Sequence, residues 1–248
     1  MSQVVDTESA KEFMKEALAK VTLEELTAIC SQLQVKSQIF QKQLSQRSLN
    51  SISEDEMFKL LRLIFSTRRK AKKILAEFDA LKMRRDVWNL LYGEESIEQR
   101  YQKFCDSLDG LEINTRYDLA SELLHFTFPD KYWLWTRWMW DPKTRTGALP
   151  LVVTEDYDLN GSTIAETYLS IGQAVAFVHQ VGEAAGFQNI SQSLFGTDVY
   201  LSCVYVVYVY TVLRMRMTQE FNKVVPGLPE FSRRLLGVYR LEENMIPL

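Results

Sequence analysis

Between Leu26 and Leu44 the apolar residues Leu26, Cys30, Leu33, Phe40 and Leu44 recur at steps of four, three, seven and four. An α-helix brings such positions to one side, because a turn takes 3.6 residues; a strand would scatter them over both faces. Ser37 fills the slot that the pattern skips. The flanks are rich in Gln, Lys and Ser, so the apolar stripe is narrow. A stripe of this width suits a hairpin arm or coiled-coil contact more than the centre of a core. The polar run SQRSLNSIS, Ser45–Ser53, then breaks the pattern. Residues 1–50 therefore read as an N-terminal helical arm, and residues 51–248 as a main helical domain.

The same period recurs downstream. Ser53 and Glu56 have capping-box spacing, in which the hydroxyl caps the third amide and the carboxylate reaches back. Met57, Leu60, Leu61, Ile64, Ala71, Leu75 and Phe78 follow at helical intervals, which predicts one helix reaching Leu81. Ile97, Tyr101, Phe104 and Leu108 predict another, ended by Asp109-Gly110. Thr115 and Asp118 open a third through Phe126, stopped by Pro129. Ala148–Val153, ALPLVV, reads as short and extended. Thr163 and Glu166 repeat the capping-box spacing ahead of a helical pattern that Gly186 stops. Pro229, in a first-turn position, starts a last helix through about Glu242.

The run VYLSCVYVVYVYTVL, Val199–Leu213, pulls in two directions. Its Val and Tyr content favours strand. The lack of a turn signal through Val225 favours a buried helix, and helix is the expectation. Its 15 residues fall short of the roughly 20 needed to span a bilayer, so no membrane insertion is expected. Ten glycines and six prolines in 248 residues are few for a chain built on β-turns. The expected fold is all-α: an irregular multi-helix bundle with an N-terminal arm and few or no strands.

Cys30, Cys105 and Cys203 are odd in number, far apart, and set in apolar periodic runs. That is the usage of free cysteines in a reducing compartment, not of a disulfide framework. The N-terminal residues lack the basic and apolar regions of a secretory signal. A cytoplasmic location follows as an expectation.

Charge is uneven. Arg62, Arg68, Arg69, Lys70, Lys72, Lys73, Lys82, Arg84 and Arg85 face only Glu77 and Asp79 between positions 62 and 85, a local net of +7 in a chain of net −3. On a continuous helix, Arg62, Arg69 and Lys73 lie opposite the apolar stripe, with Arg68 and Lys72 flanking it. Such a strip can be a solvated face. It can also dock an acidic protein surface or bind phosphates by displacing counterions. The pI of 5.6 argues against a dedicated nucleic-acid binder.

Four of five tryptophans, Trp133, Trp135, Trp138 and Trp140, crowd into Tyr132–Trp140. Read as helix or as strand, both faces of that stretch are apolar, which predicts that most of it is covered by protein. Trp and Arg are also common at interface hot spots. Trp135, Arg137 and Trp138 are therefore candidate contact residues, with Arg137 placed to stack on the neighbouring rings.

Catalytic signatures are lacking. The sequence holds no GxSxG, no CxxC, and no glycine pattern matching a dinucleotide or P-loop site. Helical di-iron sites need two Glu-x-x-His pairs; Glu122 and His125 form one, and Ala176 occupies the position that His179 would need for a second. Glu122, His125, His179 and Glu183 are the metal-ligand candidates, and hydrogen-bonded structural roles are the simpler expectation. No cofactor is expected. The sequence thus points to a non-catalytic cytosolic protein that works by binding a protein partner or a second copy of itself. The contact residues would be Arg68, Arg69, Lys72, Lys73, Trp135, Arg137 and Trp138. Nucleic-acid binding through the basic strip and a helical metalloenzyme are the alternatives.

Overall fold

The computed structural model describes residues 4–182, 190, 195–216, 226–239 and 241. Among them are eleven α-helices and no strand, so the fold is all-α as expected. In chain order these are α1 (Thr7–Leu18), α2 (Leu23–Gln43), α3 (Gln46–Leu49), α4 (Glu54–Arg62), α5 (Ala71–Glu77) and α6 (Ala80–Tyr92). They are followed by α7 (Ile97–Ser107), α8 (Ile113–Thr127), α9 (Ile164–Gln180), α10 (Phe195–Arg216) and α11 (Leu228–Leu235). The helices group into two compact units. One comprises the described residues up to Leu33, Trp138–Tyr157, and those from Ala174 to Tyr239; the other is centred on Gln34–Arg137 with Asp158–Gln173. This grouping by contact differs in kind from a division at residue 50, since residues before 50 serve both units.

In the first unit α1 packs against α10. Asp6 caps α1 by accepting the amides of Glu8 and Ser9, and Ala10, Met14 and Ala17 turn inward. The Tyr200 hydroxyl reaches the Ala10 carbonyl at 3.0 Å. α10 is buried almost all round over Phe195–Val204, which explains why its sequence shows no polar face. Helix, not strand, is the outcome for the Val/Tyr run; its end near Val225 lies outside the described residues. Phe195–Val212 is, by length and composition, apolar enough to cross a membrane, and 67% of that stretch is buried inside the protein. Val5 pairs with Val153 in an isolated bridge, and Leu149–Leu151 is a 3-10 turn, so ALPLVV is not extended throughout. α11 stops at Leu235, short of Glu242. Gly237 adopts φ +73°, and the amides of Gly237 and Val238 return to Arg234 and Arg233, a left-handed cap that glycine tolerates without a steric penalty.

In the second unit the stripe of α2 is buried: Phe40 and Leu44 are closed to solvent, and so are Lys36 and Ser37 between them. The Ser53–Glu56 capping box forms as read, with both reciprocal bonds. The helix expected to continue to Leu81 does not. It ends at Arg62, and α5 begins only at Ala71. The buried Thr67 hydroxyl takes the Leu61 carbonyl at 2.7 Å, so a side chain satisfies the end of α4 where the next turn would have. Ile97–Ser107 forms as expected. α8 starts at Ile113, with Thr115 and Asp118 inside it, and every residue from Tyr117 to Thr127 is buried.

Candidate functional site

α8 carries a polar stripe through the core of the second unit. Asp118, Ser121 and His125 stand at i, i+3 and i+7, one face of a helix. Along that face runs the aromatic stretch, which is neither helix nor strand. Its main-chain groups are taken up by the stripe: the Arg137 amide donates to Asp118 at 2.8 Å, and the Trp135 amide to the Ser121 hydroxyl at 2.6 Å. His125 Nδ1 lies 2.8 Å from the Tyr132 carbonyl. A carbonyl only accepts, so that nitrogen carries the proton. Side chains thus replace the ladder partner that an extended segment otherwise needs when buried.

The aromatic rings close the same region. Trp135 stacks on Tyr117 with centroids 4.1 Å apart, and Tyr101 stacks on Tyr168 at the same distance. Tyr101 and Trp135 lie 6.4 Å apart and join the two pairs into one column. Trp135 is 1% exposed. Trp138, in the first unit, is 2% exposed and tilts against Tyr205. Neither presents a surface. Arg137 is half-buried, and its guanidinium lies 5.8 Å from the ring of Phe65, not between tryptophans.

On α8 beside this stripe, Glu122 meets Lys36 of α2 at 2.6 Å, with the ammonium 4.0 Å from the centre of the Phe126 ring. Burial pushes the Glu122 carboxyl above its ordinary range, against the pull of Lys36. Burial likewise holds Asp118 well above the usual carboxylate range, opposed by the Arg137 amide. The thiols of Cys105 and Cys203 are raised by burial, the latter to about 12, so both stay protonated and unreactive. Of the metal candidates, Glu122 and His125 belong to this core, His179 bonds the Thr197 hydroxyl in the other unit, and Glu183 lies outside the described residues. Among the described residues no three His, Cys, Asp or Glu gather as a metal site would require.

The basic strip is not one helix face, because its residues are spread over the end of α4, the connecting turn, α5 and α6. Several cations are engaged: Lys70 with Glu112 at 2.8 Å, Lys73 with Glu77 at 3.5 Å, and Arg84 with the carbonyls of Asn50 and Ile52. Arg68 is half-buried. Arg69, Lys72 and Arg85 are exposed and make no ion pair with another described residue.

Lys72 borders an open groove of about 450 Å³ between α4 and α5. Phe58 and Leu75, both half-buried, supply its apolar lining; Glu54 and Asp55 stand at its other rim, with Asp55 held by Lys59 at 2.6 Å. A second hollow of about 270 Å³ is lined by Asp86, Asn89, Glu94, Arg100 and Phe104 among others, and mixes polar with apolar surface. Sequence reasoning missed Phe58 and Leu75 as groove residues, because Leu75 falls in the same helical pattern as the core and Phe58, next to Met57, lies just off it. It missed Lys36 for the converse reason: a lysine is read as solvated, although position 36 lies between Leu33 and Phe40 on the inward side.

Comparison with protein families, with curated proteins and with solved structures finds no match to this chain.

Proposed function

We propose that this chain is a non-catalytic protein of the cytosol that works by binding another protein. The observation carrying this reading is the groove between α4 and α5, where half-buried Phe58 and Leu75 lie beside the exposed Lys72, which makes no ion pair with another described residue. An apolar floor with a charged rim is the usual anatomy of a protein contact. The groups with chemical potential are turned to other work: Asp118, Ser121 and His125 hold main chain, and Glu122 holds Lys36. The buried free cysteines fit a reducing compartment.

Affinity purification of the full chain from its native cells, with quantitative mass spectrometry and light scattering of the eluted complex, tests the reading. A protein partner or second copy at fixed stoichiometry is expected. A monomer that recovers nothing above the level of an unrelated tagged protein contradicts it.

A further inference from the structure

Asn160 is the only asparagine of the chain that is followed by glycine. That dipeptide is chemically labile. The glycine amide nitrogen can attack the asparagine Cγ, and glycine has no side chain to block the approach. Ammonia departs and a five-membered succinimide ring forms. Water then opens the ring at either carbonyl, leaving aspartate or isoaspartate; the isoaspartate main chain is longer by one carbon. The net change is loss of ammonia for gain of water, with no oxidant or reductant.

The fold fastens this dipeptide to the start of α9. The Gly161 amide donates to the Thr167 hydroxyl at 3.0 Å, and that hydroxyl donates to the Thr163 carbonyl at 2.9 Å. The Ser162 amide donates to the Glu166 carboxylate at 2.6 Å. The leaving nitrogen is held too, since Asn160 Nδ2 donates to the Asp158 carboxylate at 3.2 Å. Asn160 is half-buried between exposed Asp158 and exposed Ser162, so water reaches the site. Gly161 fits closely: an added Cβ would lie 2.6 Å from the Glu166 carbonyl carbon and 2.6 Å from the Thr167 nitrogen, both backbone atoms.

We propose that Asn160 is a site of spontaneous deamidation, that the Thr167 hydroxyl restrains the reaction, and that conversion to isoaspartate loosens the start of α9. The Gly161 nitrogen attacks only after giving up its proton, and in the folded chain that proton is bound to Thr167. The bond must open before the ring can close. The product places a new carboxylate two residues from Asp158. Its longer main chain displaces Gly161 from a seat with no room for another atom. The Gly161–Thr167 and Ser162–Glu166 bonds then break together.

The test is incubation of the full chain at mildly alkaline pH. Mass spectrometry follows the peptide that contains Asn160, and isoaspartate-specific methylation is scored on the same peptide. The folded wild type should deamidate more slowly than the same chain in urea. Thr167→Val keeps the shape and removes the hydroxyl. It should speed the folded protein about fivefold, the factor equivalent to one hydrogen bond of about 1 kcal/mol. Thr167→Ser keeps the hydroxyl and loses the methyl, so it should match the wild type and separates loss of the bond from general loosening. Thermal melts verify that both variants fold. Ion exchange isolates the deamidated wild type, which is more acidic by one charge. Its amides from Gly161 to Tyr168 should lose protection from hydrogen exchange. The urea comparison and the exchange readout need no variant. A folded wild type as fast as the unfolded chain, Thr167→Val no faster than Thr167→Ser, or a modified protein with unchanged protection each overturns the proposal.

Discussion

The ammonium of Lys36 lies 2.6 Å from the carboxylate of Glu122, with 0% and 3% of the two side chains reached by solvent. This pair ties α2 to α8 inside the second unit. Desolvating two ions is costly, and their attraction offsets that cost only while both are present. Removing one partner leaves an uncompensated charge. Glu122→Ala or Lys36→Ala should therefore lose about 3–5 kcal/mol of stability, while Lys36→Met with Glu122→Leu should be neutral or stabilising by up to about 4 kcal/mol. Urea unfolding of the three variants checks this. Single variants as stable as the wild type would show that the pair is not closed to water.

Asp118 supplies a pH test. Burial raises its folded pKa, so the native state holds the proton more firmly than the unfolded chain. Its contribution is complete below the unfolded value near about 4 and is lost as pH rises through the folded value. Asp6 and Glu56, lowered by capping hydrogen bonds, act in the opposite sense and lose their contribution as pH falls. Asp118→Asn removes one titration of the first kind and keeps an acceptor for the Arg137 amide. Relative to this variant, the wild type should lose stability as pH is raised from about 4 toward neutrality. A stability difference that does not change with pH would contradict the assignment.

Trp135 belongs to the ring column, not to a surface. Trp135→Ala should cost about 3–5 kcal/mol, whereas Lys72→Glu should stay within about 0.5 kcal/mol of the wild type. Denaturation midpoints at constant slope decide between them. A mild Trp135→Ala would return the residue to the list of candidate contacts.

Gly147 sits at φ +152°, and an added Cβ would lie 2.3 Å from the Met139 carbonyl oxygen and 2.9 Å from the Trp140 Cα. Both neighbours are backbone and cannot swing away. Gly147→Ala should cost about 1–3 kcal/mol, seen as a lowered thermal midpoint with the helical signal retained below it.

Helix placement was largely legible because burial on one side imposes the 3.6 period: the α2 stripe, the Ser53–Glu56 box and the Ile97 pattern all reappear. What failed is also physical. The break after Arg62 comes from a threonine hydroxyl competing for a carbonyl, and threonine carries no stop signal as strong as glycine or proline. The Val/Tyr run pulled toward strand by composition, because a helix buried all round needs no polar face, yet its lack of a turn signal gave helix, as α10 is. In the sequence Asp118 reads only as part of a helix start and His125 only as a ligand candidate, whereas with Ser121 they bind the main chain of a segment several residues downstream. No periodicity announces such a rail, since the Tyr132–Arg137 segment has no regular structure of its own.

The central claim is that the polar core serves the fold and that the groove between α4 and α5 serves binding. The most direct measurement compares the natural partner recovered per mole of folded bait by two double variants, Lys36→Met with Glu122→Leu, and Phe58→Ala with Lys72→Glu. The core variant should retain the partner at the wild-type level and the groove variant should lose it. Loss with the core variant alone, at unchanged stability, would contradict the account and return the buried charges to function.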